Sequence, residues 1–164
     1  MGTMDSSKIT PARPLAAVGR AELLNFSYVA LTVDPETVAP LNAELRGVLG
    51  EDYAELKGNK DSRDGADRYH MTVIAPKEFR ALKRKLRSKR LQLPEAPISY
   101  EVLGIGTAQH ERSQAWFAVC RSEAVAAWRS ELELPAHDLH ITLAFGAGGD
   151  VHGEPKGIDS LLTG

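Results

Sequence analysis

The chain has 164 residues, 43% of them hydrophobic and 26% charged, with a formal net charge of −2. That length builds one domain whose core is large enough to fold without staples. The near-neutral balance excludes a protein that coats long duplex DNA, because such domains are strongly basic. The single cysteine, Cys120, excludes an intrachain disulfide and points to a cytoplasmic setting. No apolar run reaches the roughly 18 residues that a membrane span needs, so no membrane partner is expected.

Residues 1–24 mix Ser, Thr, Pro and Ala with little periodicity and read as a disordered N-terminal segment. Phe26–Val33, rich in β-branched and aromatic residues, reads as a strand. Asp34 then caps a helix opened by Pro35, with Val38, Leu41, Leu45 and Leu49 on one face and Gly50 at its end. A polar loop over 57–65 leads to a short strand, Tyr69–Ile74, closed by Pro76. Lys77–Arg90 reads as a helix with Phe79, Leu82 and Leu86 on its apolar stripe, and Pro94 and Pro97 break the chain after it. Ile98–Ile105 reads as a strand, Gly106–Ser113 as a turn and Gln114–Cys120 as a strand. Ser122 caps a helix through Leu134 that buries Val125, Trp128 and Leu132, and Leu139–Phe145 is the last strand before a Gly-rich tail. The second half thus repeats the grammar of the first, which favours an α+β fold with largely antiparallel sheets.

The charge is unevenly spread. Between Lys77 and Arg90 stand eight basic residues and one acidic residue, which leaves 12 of the 20 basic and 21 of the 22 acidic side chains elsewhere. That strip is the expected source of positive charge for an RNA strand, unless it is merely the solvated face of a helix.

The informative residues are two tetrapeptides, His70-Met71-Thr72-Val73 and His140-Ile141-Thr142-Leu143, one in each half. On a strand, residues two apart share a face. Each His and its Thr therefore point one way while the intervening apolar residues anchor the strand to a core. Two such strands side by side present two imidazoles and two hydroxyls to a common point. One neutral imidazole accepts a proton and one protonated imidazole donates one, which is what cleavage of a phosphodiester requires. The hydroxyls donate hydrogen bonds to phosphate oxygens, and this chemistry needs no metal and no cofactor.

The paired His-x-Thr-hydrophobic motifs resemble those of the 2H (two-histidine) phosphoesterase superfamily. That superfamily includes the RNA 2′,3′-cyclic phosphodiesterases also called 2′-5′ RNA ligases and phage enzymes that cut cyclic oligonucleotide signals. The resemblance covers roughly Phe26–Phe145. It implies a single bilobal domain over 25–164, with lobes of roughly 25–95 and 96–164 related by a pseudo-two-fold axis, flanking helices and a cleft between the lobes. It also implies that His70, Thr72, His140 and Thr142 are the catalytic residues of a phosphodiesterase acting on RNA ends or small cyclic nucleotides. A monomer is expected. The same site would serve a hydrolase of cyclic nucleotide signals. A non-catalytic RNA- or nucleotide-binding module would not need two proton-transfer groups.

Further binding candidates flank the motifs. Lys57, Lys60 and Arg63 lie in the loop before the first, and His152 and Lys156 follow the second. Tyr100 and Trp116 are candidates for stacking on a base. Strand alternation turns Tyr69 and Phe145 away from the histidine face. His137, His140 and His152 are the residues a competing metal-dependent hydrolase would use, although their spacing matches no zinc signature.

Overall fold

Each half of the chain is built as strand, strand, helix, strand. A computed structural model describes residues 15–57, 69–87, 89–146 and 156–162. The first half comprises β2 (Ala21–Leu24), β3 (Tyr28–Thr32), α1 (Pro35–Leu49) and β4 (His70–Ile74). The second comprises β5 (Ile98–His110), β6 (Ser113–Arg121), α3 (Glu123–Glu131) and β7 (Leu139–Phe145). A leading strand, β1 (Leu15–Gly19), and a helix between the halves, α2 (Pro76–Leu86), complete the set. The strands form one antiparallel sheet in the order β1-β5-β6-β7-β4-β3-β2. The fold is α+β, and both halves share a single curled sheet. Exchanging the halves exchanges β4 with β7 and β3 with β6, so the two motif strands are neighbours at the centre.

Local chemistry sets the element ends. Asp34 Oδ1 accepts the Glu36 N–H at 3.0 Å, and Pro35, lacking an N–H, fills the first helical position of α1 at no hydrogen-bond cost. Ser122 Oγ accepts the Val125 N–H at 3.1 Å to cap α3. Glu78 reaches back to the Ala75 N–H at 3.0 Å to open α2. That helix stops at Leu86, short of the expected Arg90, because Arg87 turns left-handed with φ 55°. The strand expected to end at Ile105 runs on to His110, because Gly106–His110 pair in register with Ser113–Phe117, leaving only Glu111 and Arg112 in the turn.

The N-terminal expectation needs correction from Leu15 onward; residues 1–14 lie outside the described residues. Leu15–Gly19 pairs with Ile98–Val102 at one sheet edge, and Ala21–Leu24 pairs with Tyr28–Leu31 at the other. Only Arg20 separates the two segments, so one kinked strand joins both edges of the curled sheet. At the joint, the Thr32 N–H donates to the Arg20 carbonyl at 2.9 Å and the Arg20 N–H donates to Thr32 Oγ1 at 3.0 Å. Gly19 is required there, since a Cβ would stand 2.3 Å from the Thr32 carbonyl oxygen. Phe26 also departs from the strand assigned to it. It lies with Asn25 in the β2–β3 turn, at φ 53° and 51° respectively.

All three helices pack on one face of the sheet. Val38, Leu41 and Leu45 of α1, Phe79 and Leu82 of α2 and Val125 of α3 share a core with Met71, Val73, Ile141 and Leu143. Among the described residues, no helix is long and apolar enough to cross a membrane.

Candidate active site

On the opposite face lie the motif histidines and threonines. In β4, His70 and Thr72 are half-buried while Met71 and Val73 are fully buried, and β7 repeats the pattern with His140 and Thr142 against Ile141 and Leu143. The strands meet at Met71↔Ile141. That antiparallel register sets His70 level with Thr142 and Thr72 level with His140, so each half faces the other's complementary group across the centre of the sheet.

Aromatic rings flank both histidines. The Phe117 ring stands edge-on to His140, with centroids 5.6 Å apart, and the Tyr28 ring lies 5.9 Å from His70. Neither aromatic is apparent as a site residue in the sequence. Phe117 is one of six successive residues, Ala115–Cys120, that are small, apolar or aromatic, so alternation there gives no direction.

Two of the five flanking candidates reach this face. Lys156 is only 7% exposed, with its Nζ 5.6 Å from the centroid of the Phe117 ring that touches His140. Lys57 exchanges backbone hydrogen bonds with Phe145 at 2.8 and 2.9 Å. A directly opposed pair shares a face, and Phe145 packs in a small cluster with Phe117 and Val119 on the histidine side. Lys57 is thereby aimed at the same side as Thr142, while Leu56 next to it enters the helix-side core. Lys60, Arg63 and His152 lie outside the described residues.

Phe145 also corrects the alternation argument. Phe117 pairs with Thr142 but Trp116 pairs with Ala144, leaving Leu143 as an extra residue in β7. This bulge resets the parity, so Ala144 joins Leu143 in the helix-side core and Phe145 turns to the histidine face. Tyr69 behaves as expected: it packs against the helix-side core, and its hydroxyl accepts from Asn42 Nδ2 at 2.8 Å. Tyr100 and Trp116 are not base platforms, because both belong to the helix-side core. Burial drives the Tyr100 pKa up to about 12. The basic helix α2 is likewise behind the sheet, since Phe79 and Leu82 anchor it to the core face. Its exposed cations are thus separated from the histidines by the sheet itself.

Residues 156–162 wall one side of the histidine face. Leu161 bridges to Gly106, the Leu162 N–H donates to the Ile105 carbonyl at 2.9 Å, and Ser160 lies directly over Gly106. Any side chain at Gly106 would strike Ser160 and the Phe117 ring.

Behind β4 sits a buried ion pair. A second bulge, where Ala30 pairs with Thr72 but Val29 pairs with Ile74, leaves Val73 unopposed on β3. Its carbonyl accepts from Arg129 Nη1 at 2.8 Å. The same guanidinium donates to both Glu78 oxygens at 2.8 and 2.7 Å and, through Nη2, to the Pro135 carbonyl at 2.6 Å. The hydrogen bond from Arg129 holds the Glu78 carboxyl below its ordinary pKa. His137 stands near this pair. It keeps contact with solvent, yet partial desolvation and then the Arg129 charge lower its pKa. Among the described residues, no three His, Cys, Asp or Glu side chains converge as a metal cluster would.

Two His-x-Thr strands at the centre of a sheet, backed by a packed core and open on the shared polar face, define a two-histidine phosphoesterase. A family model described as the Swiss Army Knife, 2H phosphoesterase domain matches residues 27–152. The chain belongs to that family. Comparisons with curated proteins and with solved structures return no match.

Proposed function

We propose that the protein is a metal-independent phosphodiesterase that opens a 2′,3′-cyclic phosphate on an RNA end or a small nucleotide. The observation that carries this reading is the juxtaposition of His70, Thr72, His140 and Thr142 on one half-buried face through the Met71↔Ile141 register. One imidazole removes a proton from water as the water oxygen attacks phosphorus. The bond from phosphorus to the 2′ or 3′ oxygen breaks, and the other imidazole protonates the departing oxygen. Charge builds on the non-bridging oxygens, where the Thr72 and Thr142 hydroxyls and the nearby Lys156 stabilise it. Lys57 lies further along the same face and suits a flanking phosphate.

The test is turnover by the purified protein of 2′,3′-cyclic mononucleotides, RNA with a 2′,3′-cyclic end, 2′-5′-linked oligonucleotides and cyclic dinucleotides. The first two are the expected substrates, with activity that survives chelator and follows a bell-shaped pH profile. His70→Ala and His140→Ala should each lower kcat by about 100- to 10,000-fold, while thermal unfolding stays near that of the parent. Near-normal activity in either variant, or no turnover of any 2′,3′-cyclic phosphate, refutes the reading.

A further inference from the structure

Among the described residues, β4 and β7 meet at the single pair Met71↔Ile141, whereas β7 pairs with β6 from Leu139 to Phe145. Past Met71 the described ladder therefore holds β4 from the β3 side alone, and there a bulge leaves Val73 unopposed. Two side chains outside the sheet take over. Arg129, on α3, donates to the Val73 carbonyl at 2.8 Å. His137 hydrogen-bonds the backbone of Thr72, and because that bond favours the protonated ring, the ring N–H donates and the Thr72 carbonyl accepts. Consecutive carbonyls of the motif strand are thus gripped by neighbouring groups. The same guanidinium donates to the Pro135 carbonyl, from Nε at 3.2 Å and from Nη2 at 2.6 Å, which fixes the segment that carries His137. Three residues after His137 comes His140, the histidine of the other motif. His137 therefore links the backbone of one motif to the lead-in of the other.

We propose that His137 is a positioning residue for Thr72: its ring N–H fixes the Thr72 carbonyl, and with it the angle at which the Thr72 hydroxyl meets the phosphate. The proposal rests on the phosphodiesterase reading for the role of that hydroxyl. The charged groups that bear on the ring are Arg129 from α3, Glu78 from α2 and Asp138 beside it. Desolvation and the Arg129 charge outweigh the two carboxylates and the hydrogen bond, and keep the ring neutral at pH 7. A neutral imidazole has one N–H, and here the Thr72 carbonyl takes it. An alanine would leave that carbonyl to water and let the backbone at Thr72 drift. A reaction step that depends on aim slows steeply with small displacements.

Steady-state kinetics on a 2′,3′-cyclic mononucleotide and nuclear magnetic resonance of the same variants test this. His137→Ala should lower kcat by about 10- to 100-fold and move KM by less than about threefold. His137→Leu, which fills the space without a donor, should stay as slow. Of His137→Asn and His137→Gln, whose amide nitrogens stand near the places of Nδ1 and Nε2, one should bring kcat back to within about threefold of wild type. A wild-type kcat in His137→Ala, or equal rates for the leucine and both amide variants, overturns the proposal. The resonance experiment needs no turnover. In wild type the Thr72 carbonyl-carbon shift should show a step at the titration midpoint of the His137 ring, and His137→Leu should lack that step. Its absence in wild type also overturns the proposal. A step without turnover of any 2′,3′-cyclic phosphate keeps His137 as the holder of Thr72 and removes the enzymatic reading. Turnover unaffected by His137→Ala does the reverse.

Discussion

Replacing Arg129 with methionine probes how the first motif strand is held. The guanidinium is 3% exposed, and it joins α3 to Glu78 on α2 and to the Val73 carbonyl beside Thr72. Removing one partner of a buried ion pair costs about 3–5 kcal/mol, because the other charge is left uncompensated. The Glu78 side chain is 21% exposed and keeps some hydration, which sets the expected loss near the lower end, about 3 kcal/mol. Urea unfolding at pH 7, followed by the fluorescence of neighbouring Trp128, measures it. Adding Glu78→Gln removes the orphaned charge and should recover about 1 kcal/mol or more. The acid limb gives an independent reading. A carboxyl whose folded pKa is lowered stabilises the fold above its ordinary value of 4.5, and that contribution is lost as pH falls through the folded value. Wild type should therefore lose stability below about pH 4.5 more steeply than Arg129→Met. Slack at Val73 should also reach Thr72 and lower kcat more than it changes KM. A loss under about 1 kcal/mol, with an unchanged acid limb, would refute the assignment of Arg129 as the tie behind β4.

Gly106→Ala would bring a Cβ to 2.8 Å from Ser160 Oγ and 2.9 Å from the Phe117 ring. It should cost about 1–3 kcal/mol, quicken amide exchange at Leu162 and lower turnover as Lys156 shifts. Ser122→Ala removes the α3 cap and the 2.7 Å bond to the Ser99 carbonyl; urea unfolding should show a loss of about 1–2 kcal/mol. Cys120 is buried, and that burial raises its thiol pKa. An aromatic disulfide reagent at pH 8 should leave it unlabelled in the folded protein and label it once urea is added.

The two His-x-Thr pairs are legible in the sequence because their signal is local. Alternation over four residues fixes both the face that carries His and Thr and the face that carries Met71 or Ile141. Features set by distant pairing are not. Phe145 is misplaced by parity because the Leu143 bulge shows only in the pairing of β7 with β6. Tyr100 and Trp116 lie on strands with apolar residues on both faces, so their direction depends on which face the helices cover. β1 and β2 are only five and four residues long, and the partner of β1 lies far along the chain. Phe26 hides the hairpin turn by occupying a position where Gly would have announced it. Lys156 is assigned from proximity in sequence, and the tail that folds back over Gly106 is what carries it to Phe117.

The kinked strand through Arg20 bears on the order of assembly. Leu15–Gly19 are synthesised well before Ile98–Val102, and they find these partners only once those residues exist. Until then the β2–β3 hairpin and β4 must form with one stave of the curled sheet absent. Contacts between residues so far apart in the chain carry a loop-closure cost that must be met before the pairing rewards it. The joint itself, at Arg20, lies against the Thr32 that pairs with His70. The N-terminal strand is the clasp of the molecule, and its fastening sits one strand away from His70.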